Sequence, residues 1–144
     1  SAGVKHLEFP KSYLGKDSLD FSFSGIKTAV LYYVRKAGSQ DAQGTADIAC
    51  AFQEAALDVL VEKACLAARA KRVPRIVVGG GVAANSRLRD KFSQAARLQG
   101  LDVRFPRLEY CMDNAAMVAS LGEELYRKGY RSDLYMSAEP NLKP

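Results

Sequence analysis

At 144 residues the chain is long enough for one domain with a buried core, and its 48% hydrophobic and 26% charged residues are ordinary for a globular protein. No apolar run approaches the roughly 20 residues that cross a bilayer, and no basic start followed by an apolar stretch marks a secretory signal. No membrane partner is therefore expected and a cytoplasmic setting is, while a net charge of +5 is compatible with a nucleic-acid partner.

Residues 1–20 mix Gly, Pro, Lys and isolated aromatics without a period and are expected to be irregular. His6, the only histidine, falls there, far from any partner motif, and reads as an exposed side chain. Phe21 and Phe23 alternate with serines and are expected in the core. Ile26, Val30, Tyr33 and Val34 then recur at helical spacing, with Ser24 as N-cap and Gly38 as stop. Lys27 superficially resembles a phosphate-loop lysine, but the Gly-Lys-Thr order is missing, which leaves a phosphate or RNA contact open.

A longer helix is predicted over about 45–70, from Ile48, Phe52, Ala56, Val59, Leu60, Lys63 and Ala67, and Pro74 prevents its continuation. Cys50 and Cys65 fall in apolar helical patterns and read as small buried hydrophobes. With Cys111 they are too far apart for a zinc ribbon or a disulfide framework. Basic residues gather at Arg69, Lys71, Arg72 and Arg75, and again at Arg87, Arg89, Lys91 and Arg97. Solvated faces and cations at a helix carboxyl end are the plainer account of them.

Residues 75–78 form a short β-branched run that fits a strand buried on both faces, and it stops at Gly79, Gly80 and Gly81. Asn85 or Ser86 caps a helix carrying Leu88, Phe92, Ala95 and Ala96 inward, and Gly100 closes it. Leu101, Val103 and Phe105 alternate with polar residues as a second strand over 101–105, ended by Pro106. Asp113 or Asn114 opens a last helix with Val118, Leu121 and Leu125 on one face and Gly129 as stop. The tail, 130–144, is expected to be irregular, so the chain reads as a single α/β domain over 1–144, helices packed on a short parallel sheet.

Strand, helix and strand make a βαβ unit, whose strands run parallel with a right-handed crossover. The triglycine turn and the segment ending in Asp113 thus leave from the same edge of the sheet, where ligands of open α/β sheets bind. Glycine lets a base or phosphate touch the main chain, and Asn85 can bond a base or ribose, although a tight turn with an asparagine cap explains the same residues. Asp113 is a helix cap or a metal ligand. Cys111 has no histidine base beside it in sequence, which disfavours a catalytic thiol.

Four segments together resemble the TsaD family, also labelled glycoprotease or O-sialoglycoprotein endopeptidase. They are Asp20-Phe-Ser-Phe-Ser-Gly-Ile-Lys-Thr28, Ala46-Asp-Ile-Ala-Cys-Ala-Phe-Gln-Glu54, Ile76-Val-Val-Gly-Gly-Gly-Val-Ala-Ala-Asn-Ser-Arg-Leu-Arg89 and Cys111-Met-Asp-Asn-Ala-Ala-Met117. The resemblance implies the carboxy-terminal portion of an actin-like ATPase (ASKHA) fold. It implies an enzyme that moves threonylcarbamoyl from threonylcarbamoyl-AMP to N6 of adenosine 37 in tRNAs reading ANN codons. Asn85, supported by Gly79, Gly80 and Gly81, corresponds to the substrate-binding asparagine, and Asp113 to one ligand of a single divalent metal, Fe2+ in the family. No residue is identified as catalytic.

The family's two histidine ligands, an HxxxH motif, are absent here, which implies a fragment inactive by itself. TsaB and TsaE are the implied protein partners, alongside tRNA. Self-association through uncovered sheet edges and apolar faces is a further expectation. The competing readings are a metallopeptidase, as in the older label, for which no HExxH is present, a sugar-kinase-like ATPase, and a non-catalytic nucleotide- or tRNA-binding lobe.

Overall fold

The computed structural model describes residues 7–15, 18–135 and 137. His6 and most of the tail beyond 135 lie outside the described residues. In chain order come helix α1 (Ser24–Ala37), helix α2 (Ala42–Lys71), strand β1 (Arg75–Val77), helix α3 (Ser86–Gln99), strand β2 (Asp102–Arg104) and helix α4 (Ala115–Arg127). Short 3-10 turns at Gly81–Ala84 and Leu108–Tyr110 follow β1 and β2. The two strands are parallel, pairing Arg75 with Asp102 and Val77 with Arg104. Asp102 N–H to Pro74 O (2.8 Å) and Val78 N–H to Arg104 O (2.9 Å) carry the ladder past both ends.

Helix α2 organises the molecule. It begins earlier than its apolar pattern, at Ala42, because the Asp41 carboxylate caps it by accepting from Gly44 N–H at 2.7 Å. Its buried positions follow two stripes at four-residue spacing, Ala51-Ala55-Val59-Lys63 and Leu57-Val61-Cys65, because it is covered on two sides. Toward its amino end, Ala51 and Ala55 pack with Phe9 and Ile26. Toward its carboxyl end, Leu57, Val61 and Cys65 pack with Leu88 and Phe92 of α3, and Ile76, Val103 and Phe105 close over them. The expected stripe through Phe52 is corrected: that ring is 38% exposed and lies outside both buried stripes. Cys65 is buried as expected, Cys50 only half so, and all three cysteines are free.

The segment before α1 is irregular yet anchored. Phe9 is buried and meets the Tyr33 ring edge-on at 5.9 Å. Lys11 pairs with Asp58 at 2.7 Å, and the Tyr13 hydroxyl donates to Glu62. The buried Lys63 ammonium donates to the Ser18 carbonyl at 2.8 Å and to that of Asp20. Two expectations fail here. Phe23, not Ser24, occupies the N-cap of α1, so the Ser24 hydroxyl comes one residue late to cap. Phe21 is exposed and stacks flat on Phe23 rather than entering the core. Tyr33 and Val34 remain partly exposed beside the buried Ile26.

Two larger corrections concern the sheet and the last helix. Strand β1 is covered on one face only: Ile76 packs inward, while Val77 on the other face is 75% exposed. The helices α2 and α3 lie on the inner face, and no described element covers the outer one. Helix α4 buries none of its residues, and Val118, Leu121 and Leu125, expected on a core face, are all exposed. Its ends are nonetheless well made. Asn114 caps it by accepting from Met117 N–H at 3.0 Å. At the other end Gly129 (φ 85°) lets Tyr130 N–H reach Leu125 O and its own N–H reach Tyr126 O, a Schellman closure.

Candidate functional site

Because β1 and β2 are parallel, the segments that follow them emerge on one rim. Gly79, Gly80 and Gly81 form one side of a cleft of about 530 Å³, and Phe105, Met112 and Asp113 form the other. Two of the three glycines have a local reason to be there. Gly80 sits at φ 89°, a backbone region that side chains disfavour, and launches the 3-10 turn through Ala83 N–H to Gly80 O (2.9 Å). At Gly81 an added Cβ would lie 3.1 Å from the Met112 sulfur, so the two walls approach closely there. Gly79 shows neither constraint: a Cβ there would meet nothing within 4 Å.

The cap reading of Asp113 is corrected: the neighbouring residue takes that role. Its neighbour Asn114 caps α4, and the Asn114 amide also donates to Met112 O at 2.9 Å. Among the described residues no hydrogen bond or ion pair engages the Asp113 carboxylate, which is exposed at the rim of the cleft beside the positive end of α4. An unpartnered carboxylate of this kind suits a cation. Yet no group of three His, Cys, Asp or Glu side chains gathers among the described residues, so one ligand is all that they offer.

Asn85 is placed differently. Its Oδ1 caps α3 by accepting from Leu88 N–H at 3.0 Å, and its Nδ2 donates to Gln53 Oε1 at 3.0 Å. It does not line the cleft with the glycines and Asp113. One amide proton and one oxygen lone pair remain for a ligand. Cys111 is buried, its sulfur 3.4 Å from Arg89 Nη2 and 3.5 Å from Arg107 O, which is a packing role. Lys27 is exposed on α1 and is not among the residues lining the cleft.

Sequence reasoning treated the second basic cluster as a solvated face, and the structure corrects this. Arg87 makes a bidentate pair with Glu54 (2.6 and 2.9 Å), and Lys91 bridges Glu54 at 2.9 Å and Asp58. These contacts weld α3 to α2, and the Arg87 bonds above all hold the Glu54 carboxyl down to about 2. Arg89 turns the other way, toward the cleft. What sequence could have shown is the complementary acid: Glu54 and Asp58 lie four residues apart on α2, as do Arg87 and Lys91 on α3.

Comparison with known proteins adds to this geometry. The model of the family described as "TsaD: tRNA N6-adenosine threonylcarbamoyltransferase" matches residues 1–120. The chain is 48% identical over 133 residues to a protein of that enzyme name from Syntrophus aciditrophicus, a match covering 92% of this chain and 39% of the relative. It is 47% identical over 137 residues to the one from Thermosipho africanus, covering 95% of this chain and 41% of the relative. It is 47% identical over 141 residues to that from Dictyoglomus turgidum, covering 97% and 42%. The chain thus spans about two fifths of the length of these curated relatives.

Proposed function

This chain belongs to the TsaD family, and on that premise we propose that it is the carboxy-terminal part of an enzyme transferring threonylcarbamoyl from threonylcarbamoyl-AMP to N6 of adenosine 37 in tRNAs that read ANN codons. The parent fold on this reading is the two-lobed actin-like ATPase, working in the cytoplasm with TsaB and TsaE. No described helix is long and apolar enough to cross a membrane.

The observation that carries the proposal is the shared rim of the triglycine turn and Asp113. The glycines leave the main chain of one wall bare, so a flat base or a phosphate can lie against peptide groups. The apolar side chains of Phe105, Pro106 and Met112 across the cleft shed water from that surface, which strengthens any polar contact inside it. Asn85, through its remaining proton and lone pair, is the candidate to orient a ribose or base at the edge. Asp113 is free to supply one oxygen ligand to the family's metal, expected to be Fe2+. The described residues do not complete that site, and no step is assigned through it.

The chain by itself is expected to bind nucleotide weakly and to transfer nothing. Incubating it with tRNA and threonylcarbamoyl-AMP tests the second point: modified adenosine in the digested tRNA would overturn it. The full-length protein carrying this segment must modify the same tRNA, and failure there would overturn the transferase assignment.

A further inference from the structure

We propose that Arg89 is a positioning residue of the cleft, fixing the spacing between the triglycine wall and the arm that presents Asp113. The inference rests on the reading of this cleft as the substrate site. Arg89 projects from the first turn of α3, and its guanidinium touches each wall. Nε donates to Ala83 O at 2.7 Å, in the 3-10 turn that the glycines launch. Nη2 donates to Pro106 O at 2.9 Å, where the chain leaves β2, and lies 3.4 Å from the sulfur of Cys111, two residues before Asp113. The plane sits 4.7 Å from the centre of the Phe105 ring, itself part of the far wall and packed edge-on against Phe92 of α3.

The chemistry needs arginine. A planar fork reaches two carbonyls in fixed directions while its face lies on an aromatic ring, and an ammonium cannot do all three. The two carbonyls belong to segments that share no ladder bond beyond Val78 with Arg104, so the guanidinium is the polar tie between the walls above the sheet. Arg87, two residues earlier on the same helix, faces Glu54 on α2 instead. The pair therefore separates two jobs on one helix: Arg87 holds α3 in place, and Arg89 holds the cleft.

The test compares Arg89→Met, Arg89→Lys and Arg87→Met in the 144-residue chain by two measurements at matched folded fraction. The first is the labelling rate of the thiols by a soluble disulfide reagent, with Cys111 resolved by peptide mapping. The second is AMP affinity by titration. Arg89→Met is expected to speed Cys111 labelling at least tenfold and to weaken AMP binding about tenfold, with Arg89→Lys intermediate in both. Arg87→Met is expected to lower the melting temperature and leave both readouts at wild-type values once only folded protein is counted.

Equal Cys111 labelling in Arg89→Met and Arg87→Met would overturn the proposal. So would faster labelling with AMP affinity unchanged, since the walls would then be tied without mattering to the ligand. A wild-type chain that takes up no AMP overturns the nucleotide reading instead, and the labelling comparison still decides the tie. Should Arg89→Met fail to fold, Arg89→Lys, which keeps the charge and the stem, decides it alone.

Discussion

At the scale of single residues, Asp113 and Asn85 have opposite stability signatures although sequence placed both in one site. Asp113 has no partner among the described residues beyond the positive end of α4, so Asp113→Asn is expected to cost this chain no more than about 0.5 kcal/mol in chemical denaturation. On the proposed transferase reading, the same change in the full-length protein is expected to cut tRNA modification about a hundredfold, measured as modified nucleoside per tRNA. Asn85→Ala removes a cap and orphans the Gln53 amide oxygen, and it should cost about 1–2 kcal/mol in chemical denaturation. An Asp113→Asn chain that melts much lower would mean that the carboxylate does structural work after all. The motif around each residue was legible in sequence. Which of Asp113 and Asn114 caps α4 was not, because both side chains cap well and only the backbone path decides.

Among the elements, the seam between α2 and α3 and the end of α2 carry measurable consequences. The Glu54 carboxyl is held near 2, below its ordinary value of 4.5, so its contribution to stability is complete above about pH 4.5 and is lost as pH falls through about 2. Glu54→Gln should flatten the stability profile across that window, read from urea midpoints at successive pH values. An unchanged slope would remove the seam from the account. Arg72 ends α2 in the left-handed region (φ 55°, ψ 38°), so that its own N–H and that of Val73 reach the Arg69 and Ala68 carbonyls. Arg72→Gly should stabilise the chain by about 0.5–1 kcal/mol, seen as a higher denaturant midpoint, because glycine adopts that conformation without the Cβ clash. The helices and both strands were legible from apolar spacing and from Pro74, Gly100 and Pro106. The doubly covered face of α2 was not, since a helix packed on two sides spreads its apolar residues and blurs the single stripe that the eye seeks.

For the whole molecule, the parallel pairing and the shared rim were legible because βαβ connectivity leaves few alternatives. That apolar faces would be left uncovered was expected as well, but not that they are the outer face of the sheet and helix α4, because an apolar stripe in sequence does not say what covers it. Val77, Val118 and Leu121 are each more than half exposed. Patches of this kind drive association, so sedimentation is expected to show mass rising with concentration in this chain. A Val118→Lys, Leu121→Lys double variant should stay monomeric at tenfold higher concentration, and equal behaviour of the two would locate the association elsewhere. Helix α4 also has a mechanical meaning. Its first turn, with Met117, belongs to the cleft, while the rest of a rod about 20 Å long stands clear of the body. Val118, Leu121 and Leu125 along that rod are all exposed, so a body seated on them would lie directly beside the cleft wall that Met117 helps to form.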